Sequence, residues 1–408
     1  MMYDLLIAGG GAAGLFAAVT AARRGKRVLI CDANDRLGHK LSITGKGRCN
    51  LTNNCDPDTL MQNIPRNPRF LYSAFSRCSP QDVMAFFEAE GVPLKTERGR
   101  RVFPQSDKAQ DIVRALVSAA ERAGVEIRLG ASVRRLVLDG DTCTGVQLAD
   151  GTELSADAVL LATGGMSYPR TGSRGGGYRL AEQAGHTIQT PQPSLIPLET
   201  AGSDAQEMQG LSLKNVTLTV TRGKKVLFTE MGEMLFTHFG VSGPLVLSAS
   251  ARMDADKLAD TLLTVDLKPA LSPEQLDARI LRDFAEVPNR AVSNILRSLL
   301  PASMIPVMLR RAGIPPEKKA HDITKAERLA LCGAVKKFTL QPTAMRPITE
   351  AIITRGGVSV KEINPNTMES KRVHGLYFAG ELIDVDAYTG GYNLQIAFAT
   401  GFAAGSAV

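Results

Sequence analysis

The sequence predicts an α/β protein built on a Rossmann-like dinucleotide-binding core, of the two-dinucleotide-binding-domain type, with a β-rich and a small helical segment inserted into it. Three observations lead there. The apolar run Tyr3–Ala8 meets the glycine turn Gly9-Gly10-Gly11-Ala12-Ala13-Gly14 and then an alanine-rich stretch. A second apolar run, Arg27 to Cys31, leads to Asp32, about 20 residues beyond the glycines. Two further strand-like runs that stop at glycine return much later, one entering Ala162-Thr163-Gly164-Gly165 and the other entering Gly380-Glu381.

The glycine motif has meaning because it follows a strand and opens a helix. Gly9 permits the tight turn, Gly11 lets backbone approach a pyrophosphate, and Gly14 lets helix and strand pack closely. Ala12 and Ala13 then fall in the first helical turn, where free N–H groups and the positive end of the helix dipole favour phosphate. Asp32 is placed to accept hydrogen bonds from ribose hydroxyls, with Ala33 beside it.

Further along, Ser79 caps a helix expected from Pro80 to about Glu90, and a second helix is expected over 109–123. A strand at 125–129, an alternating hairpin over 132–148 and a strand at 158–162 bring the chain back to the first sheet. Val133, at the start of the hairpin, is counted among the cofactor-binding positions, as are Ala162, Thr163 and Gly164. Around Pro191, Pro193 and Pro197 the character changes. Alternation in 216–221 and 226–229, across an Arg-Gly-Lys turn, reads as antiparallel strands. Ser272-Pro273-Glu274-Gln275 and Thr324 to Glu327 carry capping boxes that bracket a helical module. The expected division is 1–190 with 350–408 as the dinucleotide-binding domain, 191–270 with 333–349 as a β-rich insertion, and 271–332 as the helical module.

Composition sets outer bounds. At 408 residues the chain exceeds the roughly 250 to 300 residues at which single cores stop growing. No uncharged apolar run approaches the roughly 18 residues that span a bilayer, and the first apolar stretch meets glycine too soon for a signal peptide, so a cytoplasmic protein without membrane contact is expected. Six cysteines without a C-x-x-C pair suit reduced thiols, and none is expected to bind metal. The formal charge of +7 raises the question of nucleic acid. The basic groups at 222–225, 310–311, 318–319 and 336–337 are scattered and lack aromatic interleaving, so they read as solvated faces, and a small-molecule substrate is preferred to nucleic acid.

The distant returns choose the cofactor. A nicotinamide dehydrogenase usually completes its site within one Rossmann unit, whereas FAD lies extended across the core and draws on remote segments. FAD is therefore expected, with Gly380 and Glu381 among its contacts. Gly390-Gly391-Tyr392-Asn393-Leu394 opens an alanine-containing helix whose positive end would face the pyrimidine edge of a flavin, where negative charge collects on reduction.

Four segments together resemble the YhiN-like or BaiN-like flavoproteins, a family that includes an aminoacetone oxidase and proteins proposed to reduce bile-acid intermediates. They are Gly9–Gly14, Ile43–Asn53, Phe236–Pro244 and Gly375–Gly405, and in order and spacing they cover nearly the whole chain. The resemblance implies FAD, two-electron flavin chemistry and a β-rich and a helical domain inserted into the flavin domain. It implies that Asp32 meets the adenosine ribose, that Lys40 and the Arg48-Cys49-Asn50 loop line the flavin side, and that Glu381 approaches the ribityl chain. One departure is visible: after Ser167-Tyr168-Pro169, where relatives often carry Thr or Ser and an Asp, this chain has Gly172-Ser173-Arg174-Gly175-Gly176-Gly177.

For chemistry, the isoalloxazine carries the electrons, and the protein has only to place substrate, exclude water and stabilise the reduced ring. His238, in a glycine- and proline-bounded apolar segment, could hold substrate or move a proton, or could be structural. Tyr388 and Tyr392 flank the glycine pair, and either phenol could serve a substrate oxygen or simply pack. Cys49 has no second cysteine near it in sequence to support disulfide chemistry. Two activities stay open at this point, an amine oxidase and an NAD(P)H-dependent C=C reductase, with NAD(P)H at most a transient reductant because no second G-x-G-x-x-G domain is present. An RNA-modifying flavoprotein is the alternative.

Overall fold

In the computed structural model, which describes residues 2–408, the chain divides into two compact units, Met1–Ser194 with Pro347–Val408, and Leu195–Arg346. The first unit is a Rossmann-type α/β structure. Its strands, in chain order, are β1 (Tyr3–Ala8), β2 (Val28–Cys31), β3 (Glu126–Arg128), β4 (Val133–Asp139), β5 (Thr142–Leu148), β6 (Glu153–Leu161) and β7 (Leu376–Phe378). The parallel part runs β3-β2-β1-β6-β7, and the antiparallel hairpin β4–β5 joins the first half of β6. These strands are nearly continuous apolar runs because both faces of a parallel sheet are covered. Leu5, Leu6, Ile7, Leu29, Ile30, Leu160 and Leu161 are fully buried.

The longest helices of this unit are α1 (Ala12–Ala22), α2 (Ala109–Arg122) and α3 (Tyr392–Ala407). Helix α1 is apolar nearly all round, as a helix between sheet and other helices must be. Glycines set its distance from α3: a Cβ at Gly401 would lie 2.4 Å from the Ala13 carbonyl oxygen, and one at Gly405 would lie 2.4 Å from that of Ala17. The two backbones thus meet directly, one helical turn apart on both helices. Helix α2 buries Ile112, Val113, Leu116 and Ala120 along one stripe and exposes the other.

A small three-stranded sheet, Thr52–Asn53, Arg101–Pro104 and Leu94–Thr96 in that order, belongs to the same unit. So does the two-stranded pair Ile188–Ser194 with Ile353–Val358.

The second unit holds a seven-stranded sheet whose longest pair, Ser212–Arg222 with Lys225–Phe236, turns at Gly223-Lys224. Its helices begin where their capping boxes stand, Pro273–Glu286 behind Ser272 and Lys325–Lys336 behind Thr324. Leu276, Ile280 and Phe284 share one core with Val216, Leu218 and Val265 of the sheet, so sheet and helices of Leu195–Arg346 are a single packed body. Among the described residues, no helix is long and apolar enough to cross a membrane.

Candidate active site

One row of the central sheet aligns the site. Cys31 pairs with Ala8, Ala8 with Leu161, and Leu161 with Phe378. Because all four strands are parallel, the next residues, Asp32, Gly9, Ala162 and Ala379, emerge together at the carboxyl edge, where open α/β sheets bind ligands.

The glycine turn forms a cradle on that edge. A Cβ at Gly9 would lie 2.5 Å from the Ala162 carbonyl oxygen, and one at Gly14 would lie 2.0 Å from that of Gly9. Both must be glycine for packing. A Cβ at Gly11 would meet no atom within 4 Å, so its outer side is open space, as an approaching pyrophosphate requires. Helix α1 starts at Gly11 with neither a side-chain cap nor an acid in its first turn, which leaves its N–H groups to a ligand. Asp32 is held rigidly: Oδ2 accepts from Gly10 N at 2.7 Å and Oδ1 from Asn34 N at 2.8 Å. Ala33 beside it is exposed. The loop before Val133 is tied to this turn, Ala131 N donating to Asp32 O and Gly130 N to Asn34 O.

The Gly172–Gly177 run finds its reason here. A Cβ at Gly172 would meet Asn34 Nδ2 at 2.4 Å, and one at Gly177 would meet Thr163 Oγ1 at 2.0 Å, so the run lets the loop close on the turn after β2 and the turn after β6. Gly164 takes a left-handed backbone, φ +71°, at the head of that second turn.

At the other end, Glu381 is the hub of a network that sequence reasoning only half found. Lys40 Nζ donates to Glu381 Oε2 at 2.5 Å and to Ser167 Oγ at 2.7 Å. Ser167 Oγ and Thr354 N both donate to Glu381 Oε1. Gly380 is fixed by Thr400 Oγ1, which accepts its N–H. Ser167 and Thr354 are the missed members, and no local pattern distinguishes either.

Helix α3 starts at Gly391, φ +99°, again without a side-chain cap or a first-turn acid. A Cβ at Gly391 would sit 2.3 Å from the Thr52 carbonyl oxygen. The Asn393 side chain is spent on the chain itself, Oδ1 accepting from Ala387 N and Nδ2 donating to Ala387 O and Tyr388 O, which pins the loop that carries Tyr388. Tyr388 and Tyr392 are each 7% exposed, and Leu394 packs at the edge of the core. Arg48 is also engaged within the protein: its guanidinium pairs with Glu97 and Asp107 and stacks over Phe103. Cys49 is fully buried, and burial pushes its thiol up to about 12. His238 lies exposed in the second unit, in the turn between Lys225–Phe236 and Gly240–Ser242, edge-on to Phe239.

Among the buried polar atoms of the first unit that find no hydrogen-bond partner within the protein are Asn50 Oδ1, Asn53 Oδ1 and Thr163 Oγ1. Each costs about 1–3 kcal/mol if left so, and a bound molecule at the carboxyl edge could complete the bonding of these three. With the open side of Gly11 and the two uncapped helix ends, these residues fit a long dinucleotide with a polar ring system. Among the described residues, no group of three or more His, Cys, Asp or Glu could hold a metal.

Residues 3–407 match the family model described as HI0933-like protein Rossmann domain. The chain belongs to that family. The HI0933-like chain is 32% identical over 405 residues to the ribosomal RNA dihydrouridine synthase of Escherichia coli, covering 98% of this chain and 96% of that one. It is also 32% identical over 405 residues to the 3-dehydro-bile acid delta(4,6)-reductase of Clostridium scindens, with 98% of each covered. Among solved structures it resembles the 3-ketosteroid-delta4-(5alpha)-dehydrogenase of Rhodococcus jostii, TM-score 0.51 and 17% identity, covering 100% of this chain and 96% of that chain, a likeness of fold. The HI0933-like chain is an FAD-dependent oxidoreductase.

Proposed function

We propose that this enzyme reduces a carbon–carbon double bond conjugated to a carbonyl group. The observation that carries this reading is what the two full-length relatives' names have in common. Dihydrouridine is uridine saturated at a C=C next to a carbonyl, and a 3-dehydro bile acid with 4,6 unsaturation has its double bonds conjugated to the 3-oxo group. The same site chemistry serves both.

A bound FAD, once reduced by two electrons from NAD(P)H, would supply the hydride that the far carbon of such a system accepts. For the chain's own residues, the reading assigns the pyrophosphate to Gly9, Gly11 and the first turn of α1 at Ala12 and Ala13, and the adenosine end to Asp32, Ala33 and Val133. Ala162, Thr163, Gly164, Gly380 and Glu381 follow the middle of the cofactor, with Lys40 holding the Glu381 carboxylate. Arg48, Cys49 and Asn50 contribute chiefly through the backbone of their loop, and Asn50 Oδ1 is an acceptor still to be satisfied. Gly391, Tyr392, Asn393 and Leu394 present the uncapped start of α3 to negative charge on the reduced ring. The Tyr388 phenol is the group assigned to deliver the proton to the carbon next to the carbonyl, because it sits on the loop that Asn393 pins beside Gly390–Gly391. His238 is the alternative carrier. NAD(P)H is the proposed transient reductant.

The test is anaerobic stopped-flow absorbance at the oxidised-flavin band. NADH or NADPH should bleach the band, and a 4,6-dien-3-one steroid or a uridine-containing RNA should restore it. Bleaching by a primary amine, with recovery only on adding O2, would replace this reading with an amine oxidase.

A further inference from the structure

Each of the basic groups singled out in the sequence has at least one member in an ion pair. Arg222 pairs with Asp254, Arg310 with Asp204 and Glu207, Arg311 with Asp204, Lys318 with Glu327, and Lys336 with Asp266. Another basic run, Arg98-Gly99-Arg100-Arg101, stands apart from those groups. All four residues are exposed, at the tip of the hairpin formed by Leu94–Thr96 and Arg101–Pro104. Arg100 holds a left-handed backbone, φ +59°, an unfavourable state for a non-glycine residue and one that gathers at functional sites.

The position of this tip is fixed from within. Its strand pairs with Thr52–Asn53, Asn53 opposite Arg101. The buried Asn53 amide donates to Gly99 O at 3.0 Å and to Gly390 O at 3.0 Å. One side chain therefore binds both the arginine tip and the glycine pair that opens α3. Around it, Arg48 and Lys95 add to Arg98, Arg100 and Arg101, against the carboxylates of Asp56, Glu97 and Asp107.

We propose that the Arg98–Arg101 tip grips the sugar–phosphate backbone of an RNA whose base is presented at the α3 end of the site. Arg98, Arg100 and Arg101 are three guanidiniums on a short, exposed turn, and each can meet a phosphate, Arg100 by exchanging its exposed pair with Asp56 for one; rigid coupling to Gly390 sets how far the gripped strand lies from the reacting base. A small, neutral enone would have no use for them. The inference rests on the reading of a conjugated C=C as the substrate bond and adds the polymer that carries it.

The test is fluorescence anisotropy of a short labelled uridine-rich RNA with the FAD-loaded full chain, from about 50 to about 200 mM salt. The Arg98→Ala/Arg100→Ala/Arg101→Ala variant should bind at least ~10-fold more weakly and lower the slope of log K against log salt by about 2, at about 0.7 per lost single-strand phosphate contact. The corresponding triple Lys variant should stay within ~3-fold of wild type, since phosphate accepts either cation. Lys224→Ala/Lys225→Ala, in the second unit, should change nothing. If the alanine triple loses its flavin, Arg101→Ala alone decides, by a slope change of about 0.7. Absence of RNA binding by wild type, equal binding by the alanine triple, or binding only to anionic lipid vesicles would overturn the proposal. Reoxidation of the reduced wild-type enzyme by a free enone is scored separately. Its failure with RNA binding intact would refute the chemistry and leave the hairpin standing.

Discussion

Lys40 and Glu381, 341 residues apart in sequence, meet at 2.5 Å beside Ser167. Both side chains are mostly out of water, 22% and 18% exposed, so the pair is stronger than a surface ion pair. Removing the cation in Lys40→Met leaves the Glu381 carboxylate with only its Ser167 and Thr354 donors. The expected cost is about 1–3 kcal/mol, or a melting temperature lower by roughly 2–4 °C per kcal/mol. Calorimetry on the apo and FAD-loaded forms measures it, and an unchanged melting temperature in both would show the pair to be idle.

Gly11 and Gly14 should separate cofactor binding from folding. In Gly11→Ala the new methyl has free space, so the protein should fold with an apo melting temperature close to wild type but lose FAD affinity by at least ~10-fold, from crowding of the phosphate. In Gly14→Ala the methyl would fall 2.0 Å from Gly9 O, and loss of folded protein is expected. Flavin fluorescence titration and circular dichroism distinguish the two. A yellow Gly11→Ala protein of normal affinity would remove the phosphate from this turn.

The cysteines should be inert. Burial lifts the Cys31, Cys143 and Cys332 thiols to about 11 and those of Cys49 and Cys78 to about 12, and raises Cys55 as well. Almost no thiolate is present at neutral pH, and the thiolate is the reactive form. Iodoacetamide should leave the native protein unlabelled by mass spectrometry and label all six sites after denaturation. Fast native labelling at Cys49 would reopen a redox role.

Acid sensitivity should begin at His186. Its Nε2 lies 2.8 Å from Ser370 Oγ, and that oxygen already accepts from Arg372 N and Val373 N. The serine proton therefore points at Nε2, and the neutral ring carries its own proton on Nδ1, facing Glu362 at 3.3 Å. Burial pulls the imidazole pKa down, helped by Arg372 and opposed by Glu362. A lowered folded value means the unfolded chain takes up the proton first, so stability is complete above about pH 6.5 and declines as pH falls below it. Burial opposes ionisation of Glu362 too, yet the Arg372 guanidinium and the Thr187 donors hold its carboxyl down to about 2, so its contribution fades only in stronger acid. Melting temperatures of His186→Gln should vary less with pH than those of wild type as pH falls below about 6.5. Parallel curves would assign that slope to other groups.

What was legible in the sequence was local. Ser79, Ser272 and Thr324 announce helices at Pro80, Pro273 and Lys325 because a cap is read within four residues. The glycines and Asp32 announce the cradle because strand, turn and helix are consecutive. The strand expected over 125–129 is only Glu126–Arg128, an edge strand on the outer side of β2 whose length is set by that one neighbour. What stayed hidden is non-local. Nothing around Ser167 or Thr354 marks them as partners of Glu381, and the buried strand Ile353–Val358 carries two glycines that read as loop until Ile188–Ser194 is laid beside it. Asn53 as a bridge between Gly99 and Gly390 depends on three segments meeting, which no spacing encodes.

The contact of Gly401 and Gly405 with the carbonyls of Ala13 and Ala17 sets an order of events during synthesis. The phosphate-binding turn leaves the ribosome long before the helix that forms the wall behind it. Gly380 and Glu381 join the cradle just before α3 is made, and until α3 emerges the nascent α1 has one flank uncovered. The helix that carries the phosphate-binding turn is therefore fully walled in only after Gly401 and Gly405 have been made, however early the turn itself is formed.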